Sequence, residues 1–356
     1  MRAVTEPDLD GALQPLCAAV QHNCDIADAA HAGDYTLCVY LLKMREYYRW
    51  EKGLRFADDL PHDAVGEWLR AREEHWERLA DARFQPLPLD GQRFDPFAAE
   101  ELNAILNPLG LVYSGGIGAN GRPHFYLARL EALHREDDHH IYVSAQEYAR
   151  DLTAPPAMSQ GRTIFLRRES VRRMLWEKIE EWRWNRADSA MGRAVASYPF
   201  AEDLEAALDR MAEDQTRTML LHELGEVAAH RILGPDWERM LTEFPRSRAE
   251  ILLRAARDNL ADCLVTLPEL AQSDTLDARI HFYIGTLSNM RRQLFPALVA
   301  AYEDWRATGR PRQLQALLPA AQEHWRGLTL EALALYRRDG LEAMDAITRL
   351  IDNRPF

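Results

Sequence analysis

Residues 204–230 read LEAALDRMAEDQTRTMLLHELGEVAAH. Leu204, Leu208 and Met211 recur at i, i+4 and i+7, opposite Glu202, Asp203, Asp209, Glu213 and Asp214. That spacing predicts a helix with an apolar stripe turned to a core. Prolonged, the stripe runs through Gln215 and Thr218 to His222 and Glu226. The ionisable residues of 220–230 are His222, Glu223, Glu226 and His230, and they share an arc of about 100° at 3.6 residues per turn. Leu220, Leu221, Leu224 and Val227 take the other sides, so this half of the helix reads as buried all round. Ionised groups persist there only when paired, hydrogen-bonded or bound to a metal. A metal-ligand arrangement is therefore expected, against the plainer alternatives of a solvated face or a ligand-free network of His, Glu and Arg.

Working outward, further helices are predicted near 169–186, 201–233, 247–265, 275–304, 311–325 and 328–350. Breaks fall at Pro199, Pro235, Pro245, Pro268 and Gly309. Ser247 with Glu250 forms a capping box, Asp274 precedes another helix, and Pro296 kinks or ends the helix that carries His281. The section up to about Arg83 is also helical. Asp34 is placed to cap the run YTLCVYLLKMREYYRWEKG (35–53), and a second helix follows in EWLRAREEHWERLADAR (67–83). QPLPLDGQRFDPF (85–97) breaks the periodicity and reads as a linker.

LVYSGGIGANGRPHFYLARL (111–130) places Gly115, Gly116, Gly118 and an Asn120-Gly121 pair between aliphatic and aromatic runs, a hairpin signal. HHIYVS and RTIFLRR supply further short strands. The glycines lack both dinucleotide spacing and a Walker lysine, so they read as turn chemistry. The expected fold is mainly α, a multi-helix bundle with a small antiparallel β insertion at about 111–168. Three parts follow: an N-terminal helical segment packing on the bundle (1–84), an α+β insertion with a β-hairpin (85–168), and a C-terminal helical bundle carrying the site (169–356).

Partners for His222 come from other helices. Asp258 and Asp262 share an azimuth with Ile251 and Ala255, so two acids at i, i+4 follow aliphatic residues on one stripe. They repel unless a cation, a shared proton or an arginine separates them. His281 lies opposite the apolar stripe Leu276, Ile280, Tyr283, Leu287, Met290 and Leu294, beside Gly285, Ser288 and Arg292. Glu46 shares a stripe with Tyr35, Val39, Leu42 and Trp50, and Arg49, one turn away, is the simpler partner for it. The expected metal ligands are thus His222, Glu226, Asp258, Asp262, Glu46 and His281.

LLKMREYYRWE and LLHELGE together resemble segments of a bacterial protein family of unknown activity. HELGE also resembles the HExxH helix of zinc metallopeptidases. That resemblance implies His222 as a ligand and Glu223 as the catalytic general base, with Glu226 standing where the second histidine belongs. Such enzymes need an edge strand beside this helix, and the neighbouring segments here are helical. The paired Glu and ExxH motifs of ferritin-like proteins are absent.

The chain has 356 residues, 47% hydrophobic and 28% charged, an ordinary soluble composition. Its net charge of −13 argues against nucleic acid and anionic membrane as partners. No stretch approaches the ~20 apolar residues of a membrane span, and the N-terminus lacks a secretory pattern, so a cytoplasmic protein is expected. Cys17, Cys24, Cys38 and Cys263 show no CxxC spacing and fit reduced thiols, which is preferred over a zinc site with His22 and His31. Two further clusters have plain explanations. VRRMLWEKIEEWRWNR balances its arginines with Glu177, Glu180 and Glu181, and the His134, Asp137, Asp138, His139, His140 group reads as a turn between strands.

Oxygen-rich donors favour iron or manganese, with zinc as the alternative. The expected function is a metal-dependent oxidoreductase on a small-molecule substrate, with a zinc hydrolase or a non-catalytic helical scaffold as alternatives. A homo-oligomer remains open.

Overall fold

A computed structural model describes residues 11, 13–118, 121–135, 139–185, 188–244, 247–272 and 277–356. The chain divides into two compact units: Met1–Glu181 with Ala201–Ala212, and Trp182–Phe200 with Glu213–Phe356.

The first unit contains α1 (Gln14–His31), α2 (Leu37–Glu51), α3 (His62–Glu77), β1 (Leu87–Leu89), β2 (Gln92–Phe94), α4 (Ala99–Leu106), β3 (Leu111–Ile117), β4 (Pro123–Arg135), β5 (His140–Arg150), β6 (Ala157–Gln160), β7 (Thr163–Arg167) and the larger part of α5 (Arg168–Asn185). The expected β insertion is present as a five-stranded sheet of order β3-β4-β5-β7-β6, antiparallel except for the β5–β7 pair. Helix α1 closes one face. Its Leu16, Val20 and Cys24 pack with Leu111, Tyr113, Phe125 and Leu127. Asn103 of α4 clamps the edge of β3, its side chain both donating to the Tyr113 carbonyl (2.7 Å) and accepting from the Tyr113 amide (2.8 Å).

Three local expectations change here. Residues 85–97 are not a plain linker, since β1 and β2 pair through a two-residue turn at Asp90 (φ 49°) and Gly91 (φ 74°). An Asp-Gly pair with both φ values positive matches the right-handed strand twist, which is why it closes a hairpin. Thr36, not Asp34, is the N-cap residue of α2, because the Asp34 carboxylate instead accepts from Arg122 (2.9 Å). The second helix begins at His62 and ends at Glu77.

The second unit contains α6 (Ala190–Ala196), α7 (Leu204–Leu233, from Glu213 onward), α8 (Pro235–Glu243), α9 (Arg248–Ala261), a π-helical turn (Asp262–Thr266), α10 (Leu267–Leu270), α11 (Ala278–Thr286), α12 (Asn289–Leu294), α13 (Pro296–Thr308), α14 (Arg312–Asp339) and α15 (Met344–Asp352). Trp237, Leu252, Leu260, Phe295, Trp305 and Trp325 lie in one core. Among the described residues every strand belongs to the first unit.

Ser247 caps α9 through the Glu250 amide and Gly309 (φ 70°) ends α13, both as the sequence predicts. The predicted helix over 275–304 is instead three. Ser288 accepts from the Arg291 amide and starts α12, while Arg292 donates to the carbonyls of Ile284 and Leu287, so the interruption is capped from both sides. The predicted break between 325 and 328 does not occur. Gly327 sits inside α14, where a glycine costs only about 1 kcal/mol, and the chain turns instead at Gly340 (φ 59°). Asn120, Asp137, Asp138, Pro245, Asp274 and Leu276 lie outside the described residues.

Candidate metal centre

The approach of two helices builds the site. A Cβ added to Gly225 of α7 would lie 2.4 Å from the Ala261 carbonyl oxygen of α9. Only a glycine allows the backbones so close. That contact carries His222 to the end of α9, where Asp262 opens the π-helical turn. The Leu267 amide reaches back five residues to the Asp262 carbonyl, and Pro268 follows with no amide to donate. A π turn accommodates a proline that an α-helix would meet with a lost hydrogen bond and a clash.

Asp262 is fully buried and takes four donors. His222 Nδ1 and Thr266 Oγ1 each reach Oδ1 at 2.8 Å, Tyr283 Oη reaches Oδ2 at 2.8 Å, and Arg291 Nη2 also donates to Oδ2. Arg291 is itself fixed by Nε on Asn259 Oδ1 (2.9 Å). Burial alone would raise the Asp262 pKa, but the charges of Arg291 and His222 hold it well below the usual carboxylate range.

The imidazole responds in the opposite sense. Burial would lower its pKa, yet Asp262, then Glu226 and Asp258, outweigh that effect and push His222 up to about 10. With Nδ1 committed to Asp262, Nε2 lies 3.7 Å from Glu226 Oε1. His222, Glu226 and Asp258 each bring one ligand atom into a group no wider than 4.8 Å, all three half-buried. Arg257 reaches into the same place, with Nη2 2.6 Å from Glu226 Oε1 and 3.2 Å from Asp258 Oδ1.

The expected ligands therefore separate. His222, Glu226 and Asp258 come together. Asp262 touches the group through His222, as its support. His281 does not join. It is buried beside Tyr302, whose hydroxyl lies 2.8 Å from its Nδ1, and burial followed by the charge of Arg193 lowers its pKa. Glu46 belongs to the first unit, where Arg49 (3.0 Å) and Arg45 (3.3 Å) hold its carboxylate. Glu223, the expected general base, is 6% exposed. The enclosure expected around residues 220–230 is partial: Leu220, Leu221, Leu224 and Val227 are half-buried and His230 is exposed.

Arg257, Arg291, Tyr283 and Thr266 escape the sequence reading. Tyr283 counts there as a core aromatic, although a buried phenol hydroxyl requires a partner. Arg257 lies off the Asp258–Asp262 line, and its long side chain reaches around the helix.

The N-terminal domain model of a family of unknown function, DUF6866, matches residues 15–167, and the C-terminal domain model of that family matches residues 172–354. No curated protein and no solved structure matches the chain. Among the described residues no helix is long and apolar enough to cross a membrane.

Proposed function

We propose that this chain, which belongs to the DUF6866 family of unknown function, is a metal-dependent enzyme that holds a divalent cation between His222, Glu226 and Asp258. One observation carries this: a buried, four-times-bonded carboxylate fixes Nδ1 of His222 and leaves Nε2 toward Glu226, with Asp258 in the same group. Metal-bound histidines are oriented by such a second hydrogen bond, which sets the tautomer and the ring plane. The proton that His222 carries on Nε2 stands where the ion would sit.

One nitrogen and two carboxylate oxygens suit iron or manganese, and zinc also accepts them. Three protein ligands leave room for water and a substrate oxygen, and the bound ion would supply Lewis-acid or redox chemistry there. We favour an oxidoreductase of the non-haem iron or manganese type. A zinc hydrolase with Glu223 as general base is the alternative, with Glu226 standing where the second histidine of an HExxH helix belongs.

A second reading has a specific observation behind it. Arg257 already neutralises Glu226 and Asp258, so the cluster is also complete as an ion-pair network in a non-catalytic scaffold. Metal analysis of purified protein, followed by titration with Mn²⁺, Fe²⁺ and Zn²⁺, separates the two. A metal site predicts stoichiometric uptake that His222→Ala abolishes without loss of helical circular dichroism, and that Arg257→Met tightens at least about tenfold by removing a competing cation. Uptake indifferent to both substitutions would place any metal elsewhere.

A further inference from the structure

The first unit holds a second polar centre, and one of its buried cations has no direct ion-pair partner. Helix α2, within the LLKMREYYRWE run that the metal reading leaves unused, contributes Lys43, Tyr47 and Trp50. Strand β5 ends on Arg150, and α5 contributes Arg173 and Glu177. Arg150 is 1% exposed. Its guanidinium lies over the rings of Tyr47 (5.1 Å) and Trp50 (4.9 Å), which are themselves stacked with planes 3° apart. No described carboxylate lies within ion-pair distance of Arg150, and its Nε and Nη2 are buried with no hydrogen-bond partner.

The neighbouring carboxylates have other partners, among them buried Asp28, which accepts from the Leu152 amide at 2.9 Å. Glu147 pairs with Arg167 (2.9 Å) and accepts from Ser170. Glu177 pairs with Arg173 at 2.8 Å and with Lys43 at 3.7 Å. Asp151 is held by His124 and by the amides of Phe125 and Ala154. Glu169 accepts from the Glu147 amide, and burial together with the charge of Glu147 raises its pKa to about 7, so it is only partly ionised at neutral pH.

A buried cation without an anion is costly, and cation–π contact offsets only part of that cost. The strain is felt in the neighbours as well. Burial and the Arg173 charge lower Arg150 to about 10 and Lys43 to about 8. Both shifts follow from burial beside Arg173.

We infer that Arg150, with Lys43 and Arg173, is the receptor for the oxyanion of a small molecule, a carboxylate or a phosphate. The fork of Nε and Nη2 is the guanidinium edge that binds such groups in two parallel hydrogen bonds. Lys43 shares the Glu177 carboxylate and adds a second positive charge. This site is independent of the metal reading.

The test is thermal denaturation of the full chain, at constant ionic strength set with sodium chloride, titrated separately with inorganic phosphate and with acetate. A receptor predicts a saturable rise in Tm of about 3 °C or more with one of the two, which also identifies the oxyanion. Arg150→Met is expected to lose that response and to melt higher than wild type in plain buffer, because an unmatched buried charge is gone. Lys43→Met should keep the fold and weaken binding at least tenfold. No saturable response in the wild type, or one that persists in Arg150→Met, would overturn the inference. An Arg150→Met chain that melts lower, beside an unresponsive wild type, assigns Arg150 to packing on the two rings alone.

Discussion

The two polar centres differ in how their charges are matched. Around Asp262 every cation meets an anion: Arg291 and His222 share Asp262, and Arg257 bridges Glu226 and Asp258. Around Arg150 the carboxylates are bonded to other cations or to backbone amides, and one guanidinium has no direct carboxylate partner. A matched cluster is self-sufficient, and a metal enters it only by displacing Arg257 and the imidazole proton. An unmatched one is incomplete by itself. Burial alone therefore says little about binding; the remaining charge after internal pairing says more.

The largest effect that would break the comparison is at the hub of the matched centre. Asp262→Ala leaves His222, Arg291 and the Tyr283 hydroxyl facing a cavity, and stability in urea should fall by about 3–5 kcal/mol. A loss near zero would mean that the network contributes nothing to the fold. Next is Gly225→Ala, whose methyl meets the Ala261 carbonyl. Parting the helices should cost about 1–3 kcal/mol in the same measurement and weaken any metal uptake, while a neutral result would remove the close crossing from the account.

The smallest effect concerns the unmatched centre and its partly ionised acid. The folded pKa of Glu169 is raised to about 7, above the ordinary unfolded value, so the stability it contributes is fully present below about pH 4.5 and is lost as pH rises through about 7. Glu169→Gln should erase that part of the slope and raise Tm at pH 8 by about 2–4 °C, read from melts between pH 4 and 8. An unchanged slope would assign the acid-limb dependence to other groups.

Much of this was legible in the sequence. The stripe through Leu208, Met211, Gln215 and Thr218 does turn inward, with all four buried, and it delivers His222 and Glu226 together. The i, i+4 acids Asp258 and Asp262 do reach that histidine. Periodicity could not reveal what depends on side-chain reach across helices, namely Arg257 and Arg291, whose six-atom arms decide which carboxylate is matched. It also missed features written in one or two residues. The Asp90-Gly91 hairpin is a dipeptide signal inside a proline-rich stretch, and Ser288 ends one helix and starts another where apolar spacing runs on uninterrupted. Ile251 illustrates a further limit: it shares the azimuth of Asp262 yet is 53% exposed, because the first turns of α9 bury Ala249, Leu252 and Leu253 instead and leave Ile251 outside.

The wide turn at Asp262–Thr266 accommodates one residue more than an ordinary helical turn. Everything downstream of it is consequently out of phase by one position, roughly 100° of rotation, with what an unbroken helix would present. An unbroken helix of the same residues would swing the segment from Leu267 onward away from its present neighbours, whereas a single-codon deletion at Leu264 would straighten the turn and keep that segment in its present phase. The geometry of this centre is thus encoded as much by the count of residues between Asp262 and Pro268 as by their identity.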